Sequence, residues 1–369
     1  MRRLTHDQRK ELVGSMTDQL FSLYINGDIA KLGDMTTEII SLQKNHVSAL
    51  TFKGIYFKEK SQYKNALRYL EHASSLDPNN KFTLVHLGSV YIYFRKYTAA
   101  AKTFKKALVL DPVDTAILLM RGDTLVKLER NFEALECYLA AIKLNPSNLN
   151  FRIGKARAQR RMEDWGTTDT LERILMVDPE NLMALKEKAI TLSILGKYTK
   201  AMEEIEKALK ISPKDLEANL IQGKIYERWD KYQEAYESFL SAENIDKRNV
   251  MIISKKVSML FQLKDKKNMI SEFQKLEILF KEDEFKKFNK LGNMIFTEAR
   301  LKYMKELIAK ASNFLSEGMK YDPDKDLFQY LHRHEHIDFF AFLMTKLEIA
   351  SDIDRFTSEK QIRSDIKAI

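Results

Sequence analysis

One interval governs this chain. Pro78, Pro112, Pro146, Pro179 and Pro213 are separated by 34, 34, 33 and 34 residues. A fixed period in this range marks a repeat architecture, in which one supersecondary unit is stacked many times. The segments EHASSLDPNN, KALVLDPVD, AAIKLNPSN, RILMVDPEN and KALKISPKD carry the five prolines.

Other residues hold phase with them. Gly54, Gly88, Gly122 and Ala189 stand twenty-four residues before a proline. Ala66, Ala100, Ala134 and Ala201 stand twelve before, and Ala73, Ala107, Ala141 and Ala208 five before. Between the alanines stands a large residue: Leu70, Phe104, Tyr138 or Ile205. Small residues let two helices approach, and the large one fills the space beside them. Proline ends a helix. Each period therefore reads as helix, turn, helix, turn. Only 12 glycines and 6 prolines occur in 369 residues, which suits a helical chain.

The pattern resembles the tetratricopeptide repeat, a helical hairpin of 34 residues. The copies are 47–80, 81–114, 115–147, 148–181, 182–215 and 216–249. The fourth is one residue short and places Thr167, Leu171 and Ile174 where small and large residues usually alternate. Degenerate copies are read at 13–46 and 250–326, the last ending in YDPDKD, after an N-terminal segment 1–12. The resemblance implies an all-α, right-handed α-solenoid. Such a stack must hide its apolar ends. Residues 327–369 are expected to supply an aromatic capping helix, with Leu327, Leu331, Phe339 and Phe342 near one side, and a polar tail.

Chemistry is hard to find. No phosphate loop, dinucleotide-binding glycine motif or nucleophile elbow is present. A lone Cys137 permits neither an internal disulfide nor a CxxC metal pair, and it suits a reducing compartment. In HRHEH, His332 and His336 share a helical face, but HExxH is missing and a solvated face is the plainer reading. No apolar run approaches the roughly 20 residues that span a bilayer. MRRLTHDQRKELVG is not a secretory leader, and Asp7 and Glu11 weaken a mitochondrial one. The expectation is a cytoplasmic chain, in cytosol or cilium, without enzyme activity, metal or cofactor.

The family's habit implies that the first helix of each hairpin lines a groove for a peptide or helix of another protein. Mapped onto this chain, the groove holds Phe82, Val85, Ser89 and Tyr93, then Leu119, Asp123 and Lys127, then Phe151, Lys155 and Gln159, then Met183 and Lys186. The lysine, asparagine and arginine clamp with which some members hold a chaperone's terminal carboxylate is missing: its places hold Thr51 and Ile55, His86 or Ser89, and Ala116 and Met120. The net charge of +9 reads chiefly as a lysine-rich surface. A basic cluster, Arg152, Lys155, Arg157, Arg160 and Arg161, raises nucleic acid as a further reading, but at helical spacing these five spread around the helix. The reading is thus a scaffold or adaptor for other proteins, or else a structural subunit of a large ciliary, trafficking or organellar assembly.

Overall fold

The hairpins that follow the periodic prolines begin with the same local chemistry. Two residues after each periodic proline stands Asn or Asp, and its side chain accepts the backbone N–H groups of the next helix. Asn80 accepts from Thr83 at 3.0 Å, Asn181 from Ala184 at 3.0 Å and Asp215 from Ala218 at 2.8 Å. Such caps satisfy donors that no helical carbonyl can reach. A computed structural model describes residues 6–164, 166–279 and 308–311.

The helices are α1 (His6–Ile25), α2 (Ile29–Leu42), α3 (Val47–Glu59), α4 (Tyr63–Leu76), α5 (Lys81–Tyr93), α6 (Tyr97–Leu110), α7 (Thr115–Lys127), α8 (Asn131–Leu144), α9 (Leu149–Arg161), α10 (Gly166–Val177), α11 (Leu182–Ile194), α12 (Tyr198–Ile211), α13 (Leu216–Arg228), α14 (Tyr232–Ile245), α15 (Val250–Gln262) and α16 (Lys266–Leu279). Among the described residues there is no strand. Helix α1 starts at His6, within the segment read as preceding the first copy. The hairpin expected near 286–322, the capping helix, the histidines of HRHEH and the polar tail lie outside the described residues, apart from Ile308 and Ala311, which are buried.

The turn inside each hairpin also repeats. Gly27, Ser61, Arg95, Glu129, Glu163, Gly196, Asp230 and Lys264 all have φ between 56° and 74°. This left-handed residue reverses the chain, and the next N–H then reaches back five residues, as from Gln62 to Phe57 at 2.8 Å and Lys96 to Tyr91 at 2.9 Å. Six of the eight positions carry a side chain where glycine fits best.

The chain divides into two compact units after Arg161, within the fourth copy. Each is a solenoid. Within a unit, each helix packs on its predecessor and successor, and first helices also touch one another, as α1 with α3 and α11 with α13. First helices are therefore sandwiched: α5 buries Thr83, Leu84, His86, Leu87, Gly88 and Val90. Second helices bury one stripe, as α4 does with Ala66, Leu70 and Ala73.

The small residues are there for close approach. A Cβ added to Gly88 would stand 2.5 Å from the Phe104 ring, and one at Gly223 would stand 2.6 Å from Phe239. Leu70, Phe104, Tyr138, Ile205 and Phe239 are all fully buried.

Candidate functional face of the first helices

Polar side chains enter the stack at one recurrent place. Lys53, Lys188 and Lys256 are each the seventh residue of a first helix, α3, α11 and α15. Lys53 Nζ donates to the Gly33 carbonyl at 2.8 Å and to Thr37 Oγ1 at 2.6 Å. Lys188 pairs with Glu204 at 3.1 Å and Glu172 at 3.4 Å. Lys256 is 0% exposed and lies between Glu243 at 2.6 Å and Glu272 at 2.9 Å. These lysines join neighbouring helices. They were not among the residues singled out from the sequence, although their shared register would have revealed them.

The opposite side of the first helices is the one left open. In the N-terminal unit, Phe82, Val85, Ser89 and Tyr93 on α5 are half-buried, as are Leu119 and Lys127 on α7, while Asp123 is exposed. Ser89 Oγ donates to the Val85 carbonyl at 3.0 Å. Tyr93 stacks on Tyr63 with ring centroids 3.4 Å apart.

Phe82 is not a free anchor. It meets Phe52 at 5.4 Å, Tyr24 at 6.0 Å, Phe21 at 6.2 Å and His86 at 4.6 Å between centroids. Phe21 and Tyr24 come from α1, so rings two hairpins apart meet across α3. That contact requires the first helices to close in on this side of the N-terminal unit. Phe21 remains 53% exposed. Neither Phe21 nor Tyr24 was read from the sequence as part of this face, although both recur at helical spacing on α1. Burial, and secondarily the charge of Lys58, pushes the His86 pKa down to about 4.

Two other expected groove residues belong to the core. Phe151 is 2% exposed and packs with Leu125, Tyr138 and Ala158, and Gln159 is 7% exposed. Helix α9 starts 34 residues after α7, in phase, and Phe151 and Gln159 are its third and eleventh residues, the side that Ile117 and Leu125 bury on α7. Neither offers a surface to a partner. The places compared with the chaperone clamp are also partly interior: Thr51 and Thr83 share a buried 2.7 Å hydrogen bond, and Ile55 is fully buried.

The basic cluster of α9 does not form one stripe. Arg152 donates to the Pro146 carbonyl at 3.0 Å. Arg157 acts electrostatically on Asp123 of α7, as does Lys127. Lys155 and Arg160 are half-buried, and Arg161 is exposed. Asp123 as a residue is exposed, but the carboxylate oxygen that meets Tyr138 is recessed. Loss of hydration there pushes its pKa up, against the Tyr138 hydrogen bond and the Arg157 and Lys127 charges.

In the C-terminal unit, Met183 is 41% exposed on α11. Lys186 on the same helix bridges Asp215 at 3.1 Å and Glu217 at 2.5 Å. Burial opposes the Lys186 charge, but the two carboxylates outweigh it and its pKa is raised. Cys137 is a packed residue whose thiol pKa is pushed up, by burial above all. Among the described residues, no group of three His, Cys, Asp or Glu side chains could hold a metal, and no helix is long and apolar enough to cross a membrane.

Stacked antiparallel hairpins with an open first-helix face define an all-α helical-repeat protein. Two family models described as Tetratricopeptide repeat match it, one at 85–148 and 119–165 and the other at 47–80 and 187–215. The chain is a tetratricopeptide repeat protein. It is 24% identical over 205 residues to Anaphase-promoting complex subunit 3 of Schizosaccharomyces pombe, covering 55% of this chain and 31% of that one. It is 24% identical over 252 residues to a TPR repeat-containing protein of Methanocaldococcus jannaschii, covering 61% and 44%. The chain thus spans less than half the length of these two relatives. A tetratricopeptide repeat protein of Parabacteroides merdae shares the fold, with a TM-score of 0.59 and 17% identity over 66% of this chain and 97% of that one.

Proposed function

We propose that this chain is a non-catalytic scaffold that holds a peptide or helix of a partner protein on the open face of its first helices. One observation carries the reading. On α5 and α7, the side bearing Leu84, Leu87, Leu118 and Leu125 is buried, while on the other side Val85, Tyr93, Leu119 and Lys127 are only half-buried and Asp123 is exposed. That other side mixes apolar surface with charge, as protein-binding faces do. Tetratricopeptide repeat proteins in general bind other proteins, which agrees with this reading.

The test is capture from nuclease-treated native lysate by the full chain and by a Val85→Glu/Leu119→Glu variant. Partners should be lost from the variant while its helical circular dichroism is kept. Equal capture by both chains would move the contact to another face.

A second reading is a fixed subunit of a larger assembly. It rests on the similarity to Anaphase-promoting complex subunit 3, named as part of a complex. Native mass measurement separates the two: an assembly subunit stays in one large particle of constant composition, whereas an adaptor exchanges partners. Nucleic acid has less support, because Arg152 donates to a carbonyl of the protein itself and the basic residues of α9 do not form one stripe.

A further inference from the structure

One junction of the array departs from the others. The chain has 6 prolines, and five of them follow Asp77, Asp111, Asn145, Asp178 or Asp322. Pro213 instead follows Ser212, and no other serine or threonine in the chain precedes a proline. Ser212 ends α12. Its N–H donates to the Ala208 carbonyl at 2.9 Å, and its backbone leaves the helix at φ −135° and ψ 86°. The residue is half-buried, and Pro213 and Lys214 beyond it are exposed.

At the matching places a carboxylate organises the turn. Asp77 Oδ1 accepts the Asn79 N–H at 3.1 Å, and Asp178 Oδ2 accepts from Asn181 Nδ2 at 2.9 Å. Three residues after Ser212 stands Asp215, which caps α13 through the Ala218 N–H and pairs with Lys186 at 3.1 Å. One other junction has a carboxylate at the later place, Asp114, and it has Asp111 at the earlier one. There Lys81, the first residue of α5, holds both, at 2.8 and 3.2 Å. The first residue of α11 is Leu182, which cannot do so.

We propose that Ser212 is the acceptor of a proline-directed serine/threonine kinase, and that its phosphate loosens the junction between α12 and α13. The step moves the γ-phosphoryl group of ATP to Ser212 Oγ. The Oγ–P bond forms as the bond from that phosphorus to its bridging oxygen breaks, ADP leaves, and the hydroxyl proton passes to a base of the kinase. The phosphate adds a charge of about −2. It stands at the negative end of α12 and three residues from Asp215. It therefore either repels the capping carboxylate or draws Lys186 away from Asp215 and Glu217. Lys186 ties α11 to the start of α13, so both outcomes free the first turn of α13. This inference does not depend on what the open face holds.

The experiment incubates the full chain with ATP and each of two purified proline-directed kinases, one cyclin-dependent and one mitogen-activated, and maps phosphate by mass spectrometry. Phosphate is expected at Ser212 of the native chain, and that site is lost in Ser212→Ala. Amide hydrogen exchange then reads the junction. After phosphorylation the Ala218 N–H should exchange about tenfold faster. The Thr83 N–H, capped by Asn80 in the other unit, should not change.

No phosphate at Ser212 with either kinase overturns the proposal. So does phosphate that enters only a heat-unfolded chain, because the folded junction is then closed to the kinase. Phosphate at Ser212 with Ala218 exchange unchanged or slowed overturns it too, because the junction then absorbs the charge.

Discussion

Tyr138 donates a 2.7 Å hydrogen bond to Asp123 Oδ1 from a ring that is fully buried. The same ring lies against two glycines, Gly122 of its own hairpin and Gly154 of the next. It therefore joins a core wedge to a residue of the open face. Tyr138→Phe keeps the wedge and removes the hydroxyl, and should cost about 1 kcal/mol. Gly122→Ala keeps the hydroxyl but sets a methyl 2.8 Å from the ring, and should cost about 1–3 kcal/mol through overpacking. Combining Gly122→Ala with Tyr138→Leu should cost less than the sum, measured as a double-mutant cycle in urea unfolding.

The hairpin turns offer stabilisation. Arg95, Glu129 and Asp230 hold φ of 56°, 60° and 57° with a Cβ in place. The left-handed region costs a side-chain-bearing residue about 1 kcal/mol. Replacing each with Gly relieves that cost while loosening the unfolded chain. The net expectation is a higher urea midpoint for each variant. Alanine at the same positions should give no such gain.

His86 makes stability depend on pH. Its folded pKa of about 4 lies below the ordinary 6.5, so between these values the unfolded chain binds more protons. Stability therefore rises with pH across that window and is lost as pH falls through it. A shift of this size in a buried residue corresponds to about 3 kcal/mol. His86→Leu should flatten the dependence between pH 4 and 6.5, read by thermal unfolding at a series of pH values.

Lys256 tests the buried charges. Removing it as Lys256→Met leaves Glu243 and Glu272 to the half-exposed Lys275 alone, at 3.5 and 2.9 Å, and should cost about 3 kcal/mol. Replacing all three, with Glu243→Leu and Glu272→Leu added, should recover most of the loss. Denaturant midpoints of the single and triple variants decide it.

The repeat was legible because its packing is written in residue size. Gly88 and Phe104 must alternate for the helices to close, and that alternation stands in the sequence. The prolines were visible too, but the helix starts depend on Asn80, Asp114, Asn181 and Asp215, whose capping follows from a side-chain oxygen two residues past each proline. The left-handed turns left little trace, since Ser61, Arg95, Glu129 and Asp230 share no chemistry and the conformation is imposed by the backbone. The site was harder still. Val85, Leu119 and Lys127 are half-buried. Phe151 and Gln159 are buried, because they stand third and eleventh in α9, as the buried Ile117 and Leu125 do in α7. Phe82 is half covered by Tyr24 from a helix far earlier in the chain, a long-range contact no local pattern encodes.

The neighbour-to-neighbour packing within each unit has a mechanical consequence. Among the described residues, extensive helix contacts join only elements adjacent or next but one in the chain. Tension applied to the ends of a unit is then resisted by one interface at a time, with no distant strand to share the load. Such a chain yields by peeling, hairpin after hairpin, each step releasing about 110 Å of contour. A partner lying along several first helices would bridge those interfaces and act as a splint.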